Sequence, residues 1–309
     1  PSAVSSVVAQ VGTDPAVACS STSATAFTCS DLAIASTLTT ITVTATDATT
    51  ATASSQIRVR GLEPTSSAGF DIVLIFYDEM YTGPQLGEFL SAADRWASHI
   101  TGDVADVALS AATIPESLGP KACDFGEPEV DLAVDDLVIF ATSFTDSANP
   151  GLLGSAAPCL VRTGASDYAT TIAGWMQFNT VSVQSLLNDG LLDDTVLHEM
   201  GHVLGIGTTW EPSGLAIDLL EYDLGDESTI CAVQEFFDVD PYYTGTSALA
   251  VWSSWGEAGV LPVEEDPTEV TPTAGRLGTQ CSHWDEAALT TELMTGFLNP
   301  TNQFTALTI

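Results

Sequence analysis

Residues 197–210 read LHEMGHVLGIGTTW. Two histidines four positions apart, His198 and His202, share one face of any helix that carries them, so both imidazoles can turn toward one ion. Glu199 follows the first histidine, which sets its carboxylate beside that ion rather than on it. There it can take a proton from a water attacking a carbonyl, the general-base role. Zinc suits such a pair because it binds imidazole nitrogen, lowers the pKa of a bound water to about 7 and polarises a substrate oxygen. With 4 His and 41 acidic residues in the chain, the pattern would arise by chance about 0.007 times. The bland reading, two helix-surface histidines without a metal, is therefore the weaker one.

A catalytic zinc usually has three protein ligands, and this motif supplies two. The remaining histidines are His99 and His283. His99 stands at the margin of a packed helical stripe and reads as a surface residue. His283 lies in CSHWDEAALTTELMTGFLNP, 81 residues past His202, and Met294 follows eleven residues later in a run able to fold beneath the site. His283 is the candidate third ligand. The rival is an acidic third ligand of the thermolysin-like kind, drawn from Asp218, Glu221, Asp223 or Glu227. In so acidic a chain nearby carboxylates discriminate little.

HExxHxxG, a long insertion, then SHW and ELMTGF together resemble the leishmanolysin-type metalloproteases, metzincins in which a stretch is inserted before the third histidine. Other metzincins continue as HExxHxxGxxH; here Thr208 stands at that position. The resemblance runs from about residue 70 to 300. It implies zinc held by His198, His202 and His283, Glu199 as general base, Met294 as the methionine turn, and endopeptidase activity on extended polypeptides outside the cell. It also implies a substrate-pairing edge strand, assigned to Gly174, Trp175, Met176, Gln177, Phe178 and Asn179, against the plainer reading that Trp175 and Phe178 are core. Three departures stand out. The N-terminal residues are unlike the family's inhibitory propeptide, the chain ends at TALTI short of a further helical segment, and no tyrosine follows Tyr243 to act near Met294. A function of another class, a catalytically silent extracellular adhesin keeping the fold, is opposed by the intact Glu199.

The elements that must position these residues follow from periodicity. DDTVLHEMGHVL, 193–204, reads as a helix with Asp193 or Asp194 near its cap; Gly201 leaves it thin between the ligands, and Gly205 can end it in a left-handed turn. FDIVLIFY, 70–77, and DDLVIFATSF, 135–144, are apolar runs suited to strands covered on both faces, and AGWMQFNTV, 173–181, is a third strand. Between the first two, Phe89, Ala92, Ala93, Trp96 and Ile100 form one helical stripe for the core. The sequence after Gly207 is loop-rich, with short helical pieces at 246–252 and 285–293. Strands at 41–46 and 53–60 form a hairpin around DATT, the closing strands of a small Ig-like β-sandwich. The expected fold is α+β, metzincin-like: a β module at 1–62, a linker at 63–69, and a protease domain at 70–309 divided into 70–207 and 208–309.

Composition sets the surroundings. Only 6 Lys and Arg face 41 acidic residues, a formal charge of −35, which excludes nucleic acid and anionic membrane surfaces as partners. Such a surface stays solvated in high salt, so a halophilic setting is expected, with calcium as the second cofactor that acidity admits. Six cysteines without a CxxC pair fit three disulfides outside the cytosol. The expected pairs are Cys19–Cys29, Cys123–Cys159 and Cys231–Cys281, each within one segment. No uninterrupted apolar run reaches membrane-spanning length, so no membrane insertion is expected. The opening PSAVSSVV lacks a charged n-region, and residue 1 is expected to be a processed or truncated start. Expected partners are polypeptide substrates, and upstream domains or a surface assembly through the N-terminal module.

Overall fold

The computed structural model describes residues 3–23, 25–30, 32–33, 38–60, 69–76, 81, 83–109, 132–162, 170–210, 220–222, 241–264 and 281–309. The apolar run at 135–144 becomes β10 (Leu137–Phe144), whose first five residues are buried. Alternation splits it between two faces: Leu137, Ile139 and Ala141 join the main core, Val138 and Phe140 the opposite one. β7 (Ile72–Phe76) and β12 (Thr170–Asn179) pair with it in parallel on either side. β11 (Gly154–Arg162), which the sequence reading did not anticipate, runs antiparallel to β12 at the sheet edge. Its small residues and internal proline carry neither periodicity.

The N-terminal strands extend this sheet on the other side. β1 (Val4–Val11), β2 (Val17–Ala18), β5 (Leu38–Asp47) and β6 (Thr52–Arg60) are antiparallel, and β6 meets β7 at Arg58 and Phe76, which gives the order β11-β12-β10-β7-β6-β5-β1-β2. The hairpin turn stands at the expected DATT, where Asp47 Oδ1 accepts from the Thr49 and Ala51 N–H groups at 2.8 and 2.9 Å. β3 (Ser20–Ser21) and β4 (Phe27–Thr28) pair beside it, tied by the Cys19–Cys29 disulfide. Of the expected linker, only Gly69 is described.

Helix α1 (Gly83–His99) buries Phe89, Ala92, Ala93 and Trp96 as expected. Helix α2 (Thr180–Asp189) begins where the third strand was expected to continue to 181; the Asn179 side chain accepts from the Val181 N–H and caps the helix, which ends the strand. Helix α3 (Leu192–Leu204) carries the motif. A short pair, β8 (Val107–Leu109) with β9 (Leu132–Val134), lies outside the main sheet. The later residues hold a small sheet of β13 (Leu220–Tyr222), β14 (Pro241–Tyr243) and β15 (Leu261–Pro262), with helices α4 (Thr246–Ser254) and α5 (Glu286–Leu289). Trp210, Trp252, Trp284, Leu293 and Met294 belong to the same apolar cluster as α1, α3 and the strands. Burying each such side chain contributes about 1.5–3 kcal/mol. The class is α+β, and no helix of the described residues is long and apolar enough to cross a membrane.

Candidate metal centre

Helix α3 lies between α1 and the sheet, held at fixed points along its length. Trp96 Nε1 donates to the Leu197 carbonyl at 2.9 Å, and Thr171 Oγ1 to the Val203 carbonyl at 2.7 Å. Asp193 and Asp194 lie in the first turn rather than at the cap, which is Leu191. There they complement the positive end of the helix dipole, and Arg95 meets them at 2.6 and 3.7 Å. Gly205 ends the helix at φ 112°.

The chain then turns at Gly207, φ 77°, against the segment that brings back the distant histidine: a Cβ on Gly207 would stand 1.8 Å from the Ser282 carbonyl oxygen. His283 is gripped from both sides. Its carbonyl accepts from Glu264 N–H at 2.9 Å, the Glu264 carbonyl accepts from Cys281 N–H at 2.9 Å, and Trp284 N–H donates to the Met294 carbonyl at 2.9 Å. Trp284 packs on Trp210 with ring centroids 4.5 Å apart.

The three histidines converge. The Nε2 atoms of His198 and His202 are 3.1 Å apart, and His283 Nε2 lies 3.1 Å from the first and 3.0 Å from the second. On the far side of the rings, Nδ1 of His198 lies 2.8 Å from the Leu293 carbonyl and Nδ1 of His202 2.8 Å from the Ile206 carbonyl. A carbonyl only accepts, so both Nδ1 atoms carry the proton and both Nε2 atoms present lone pairs. Two lone pairs aimed at one point repel unless a cation lies between them. A tetrahedral ion with bonds of about 2.0–2.1 Å spaces its ligands about 3.3 Å apart, so the observed triangle fits. The buried triad could hold a metal ion. Burial lowers His198, and burial with the neighbouring His198 pushes His202 down to about 3, which keeps both imidazoles neutral and ready to ligate.

Glu199 is buried one position along the helix, and burial pushes its carboxyl up to about 8. Its Oε2 has no hydrogen-bond partner among the described residues. Met294 is fully buried beneath the helix; a Cβ on Gly201 would come within 2.6 Å of its sulfur. The turn that carries Met294 also supplies the Leu293 carbonyl to His198. Glu292 braces it, accepting from Met294 N–H at 2.6 Å, from Thr305 Oγ1 at 3.2 Å and from Thr308 Oγ1.

The other expected site residues fall elsewhere. Gly174 to Asn179 do not form an edge strand: β12 is paired along that stretch with β10 on one side and β11 on the other, so its main chain is not open to a substrate. Met176 and Phe178 are fully buried, Trp175 nearly so, and Gly174 lets Val203 of α3 approach. Among the described residues the edge is β11, where a Cβ on Gly154 would stand 2.7 Å from Glu199 Oε1. Thr208 bonds the His202 carbonyl through Oγ1 at 2.6 Å. His99 is exposed, with Nδ1 2.8 Å from the Arg95 carbonyl.

Of the acidic rivals for the third ligand, Asp218, Asp223 and Glu227 lie outside the described residues, and Glu221 is described only in the backbone of β13. Cys159 and Cys281 are disulfide-bonded; their expected partners, Cys123 and Cys231, lie outside the described residues. A second carboxylate group, Asp71, Asp135 and Asp136, has ligand-type atoms within 4.8 Å of one another, but Asp136 already accepts from the N–H groups of Asp71 and Val104 at 2.7 and 2.9 Å.

Sequence reasoning missed Gly207, Glu292 and Gly154. The only local signal was the second glycine of GIG; the other two depend on partners far along the chain. Comparison with protein-family models and with curated proteins gives no match.

Proposed function

We propose that this chain is a zinc-dependent endopeptidase of the metzincin type, similar to the leishmanolysin-type enzymes, which cleaves extended polypeptides outside the cell. The observation that carries the reading is the convergence of three imidazole nitrogens within 3.1 Å of one another, with a buried carboxylate on the same helix. His198, His202 and His283 would hold the ion, and zinc so held supplies an acidic water and polarises a carbonyl.

The chain's own groups account for the rest. Leu293 and Ile206 fix the tautomers of two ligands through their carbonyls, as outer partners of metal-bound histidines do. Glu199 Oε2, buried and without a partner among the described residues, is the atom to take a proton from the attacking water and return it to the leaving amine. Burial holds the Glu199 carboxyl up at about 8; an ion held by the three histidines would act in the opposite direction, because a nearby positive charge favours the carboxylate. The edge of β11 beside Glu199, unpaired among the described residues, would pair with an extended substrate through its main chain. The Cys19–Cys29 bond and the oxidised Cys159 and Cys281 support an extracellular setting. The N-terminal strands, read as a small Ig-like module, would serve attachment or assembly.

The test is a zinc-loaded sample assayed on casein in high salt, with Glu199→Gln beside it. Hydrolysis by the wild type, with metal retained but activity lost in Glu199→Gln, is the expected result. A metal-loaded wild type without hydrolysis would favour the silent-adhesin alternative.

A further inference from the structure

We propose that Pro158 is a specificity-determining residue: with the bulge just after it, Pro158 ends the row of main-chain groups on the open edge of β11, so an extended peptide is held over one short stretch N-terminal to the bond being cut. This rests on the peptidase reading above. The pairing decides which groups face outward. Asn179 N–H donates to the Leu153 carbonyl at 2.8 Å, directly opposite it in the β11–β12 register. Hydrogen-bonded and non-bonded pairs alternate in an antiparallel ladder. Ser155 and Ala157 therefore turn their main-chain groups toward Gln177 and Trp175, while Gly154, Ala156 and Pro158 turn theirs away from β12. Among the described residues no strand lies beyond β11.

The row begins at the reacting group, since Gly154 is the residue whose Cβ would strike Glu199 Oε1. It ends at Pro158 for two separate reasons. Proline has no N–H to donate, and the register shifts between Pro158 and Leu160, one extra residue that bends the strand and re-aims the residues beyond it. The edge thus offers the N–H groups of Gly154 and Ala156, and the carbonyls of Gly154, Ala156 and Pro158. Because β11 runs away from Glu199, a peptide antiparallel to it runs toward Glu199, and the residues held are those before the scissile bond. Gly154, Ser155, Ala156 and Ala157 are all small, so the edge selects extended backbone and asks little of the side chains. Pro158 also protects an otherwise open edge from pairing with other strands.

The test is a set of fluorogenic peptides lengthened one residue at a time on the N-terminal side of one scissile bond. In the zinc-loaded wild type kcat/KM should climb and then go flat once the peptide reaches Pro158, four residues beyond the one that faces Gly154. In Pro158→Ala the restored donor should raise the ratio of kcat/KM for peptides that span it to that for shorter ones by about three- to tenfold. The same length dependence should appear in dissociation constants measured by anisotropy on Glu199→Gln. A wild-type series that keeps climbing past that length, or a Pro158→Ala ratio equal to that of the wild type, overturns the inference while leaving the peptidase intact. Absence of hydrolysis at every length overturns the peptidase reading itself.

Discussion

Gly207→Ala is the sharpest test of how the distant ligand is delivered. The new Cβ would stand 1.8 Å from the Ser282 carbonyl oxygen, 2.6 Å from its carbon and 2.9 Å from its Cα, all backbone atoms. A carbon and a carbonyl oxygen settle near 3.3 Å, so the Ser282 segment must retreat by about 1.5 Å. Metal ligation tolerates about 0.2 Å, and His283 is the next residue. Alanine at φ 77° adds a strain of about 1–2 kcal/mol that says nothing of the metal. Gly190→Ala separates the two effects, because Gly190 has φ 71° with nothing within 4 Å of its Cβ position. Both variants should lose similar intrinsic stability from the backbone, but only Gly207→Ala should bind zinc about 100-fold more weakly or worse. The readouts are competition against a chromophoric chelator and the zinc-dependent rise in unfolding free energy, which should shrink by about 2.7 kcal/mol for a 100-fold loss. A Gly207→Ala protein with wild-type zinc affinity would refute the delivery of His283 by this close approach.

Three further outcomes rest on the same geometry. In chelator-treated protein Glu199 keeps its proton in the fold, with a pKa of about 8 against 4.5 in the unfolded chain, so its contribution is present below pH 4.5 and is lost as pH rises through 8. Glu199→Gln should therefore gain stability relative to the wild type as pH rises from 4.5 to 8, on the order of 5 kcal/mol in all. His198 and His202 act in the opposite sense, costing stability as pH falls below 6.5, but equally in both proteins; a pH-independent difference in urea unfolding would count against the buried, proton-holding Glu199. His283→Ala should lose metal and activity together, and a full equivalent of tightly bound zinc would move the third ligand to an acidic residue. Glu292→Gln should weaken metal binding about 10- to 100-fold and broaden the His198 ring signals in proton NMR, because the turn holding the Leu293 carbonyl loses its carboxylate brace; unchanged metal affinity would make Glu292 merely a packing residue.

The pairing of His198 with His202 was legible from sequence because it is local: a helix fixes which side chains share a face, so HExxH followed by Gly205 states its own geometry. The stripe from Phe89 to Trp96 and the apolar runs that became β7 and β10 were legible for the same reason. The strand at AGWMQFNT could be read as a strand, but not placed. Its backbone groups look the same whether one neighbour or two satisfy them, and only the arrival of β11, a run of small residues around a proline, makes β12 interior and Gly154 the edge beside Glu199. His283 could be nominated as a leftover histidine with Met294 behind it. What brings its nitrogen to 3.0 Å from His202 is the contact of Gly207 with Ser282, the grip of Glu264 and the turn braced by Glu292. These are contacts between residues far apart in the chain, and periodicity along a single segment carries no record of them.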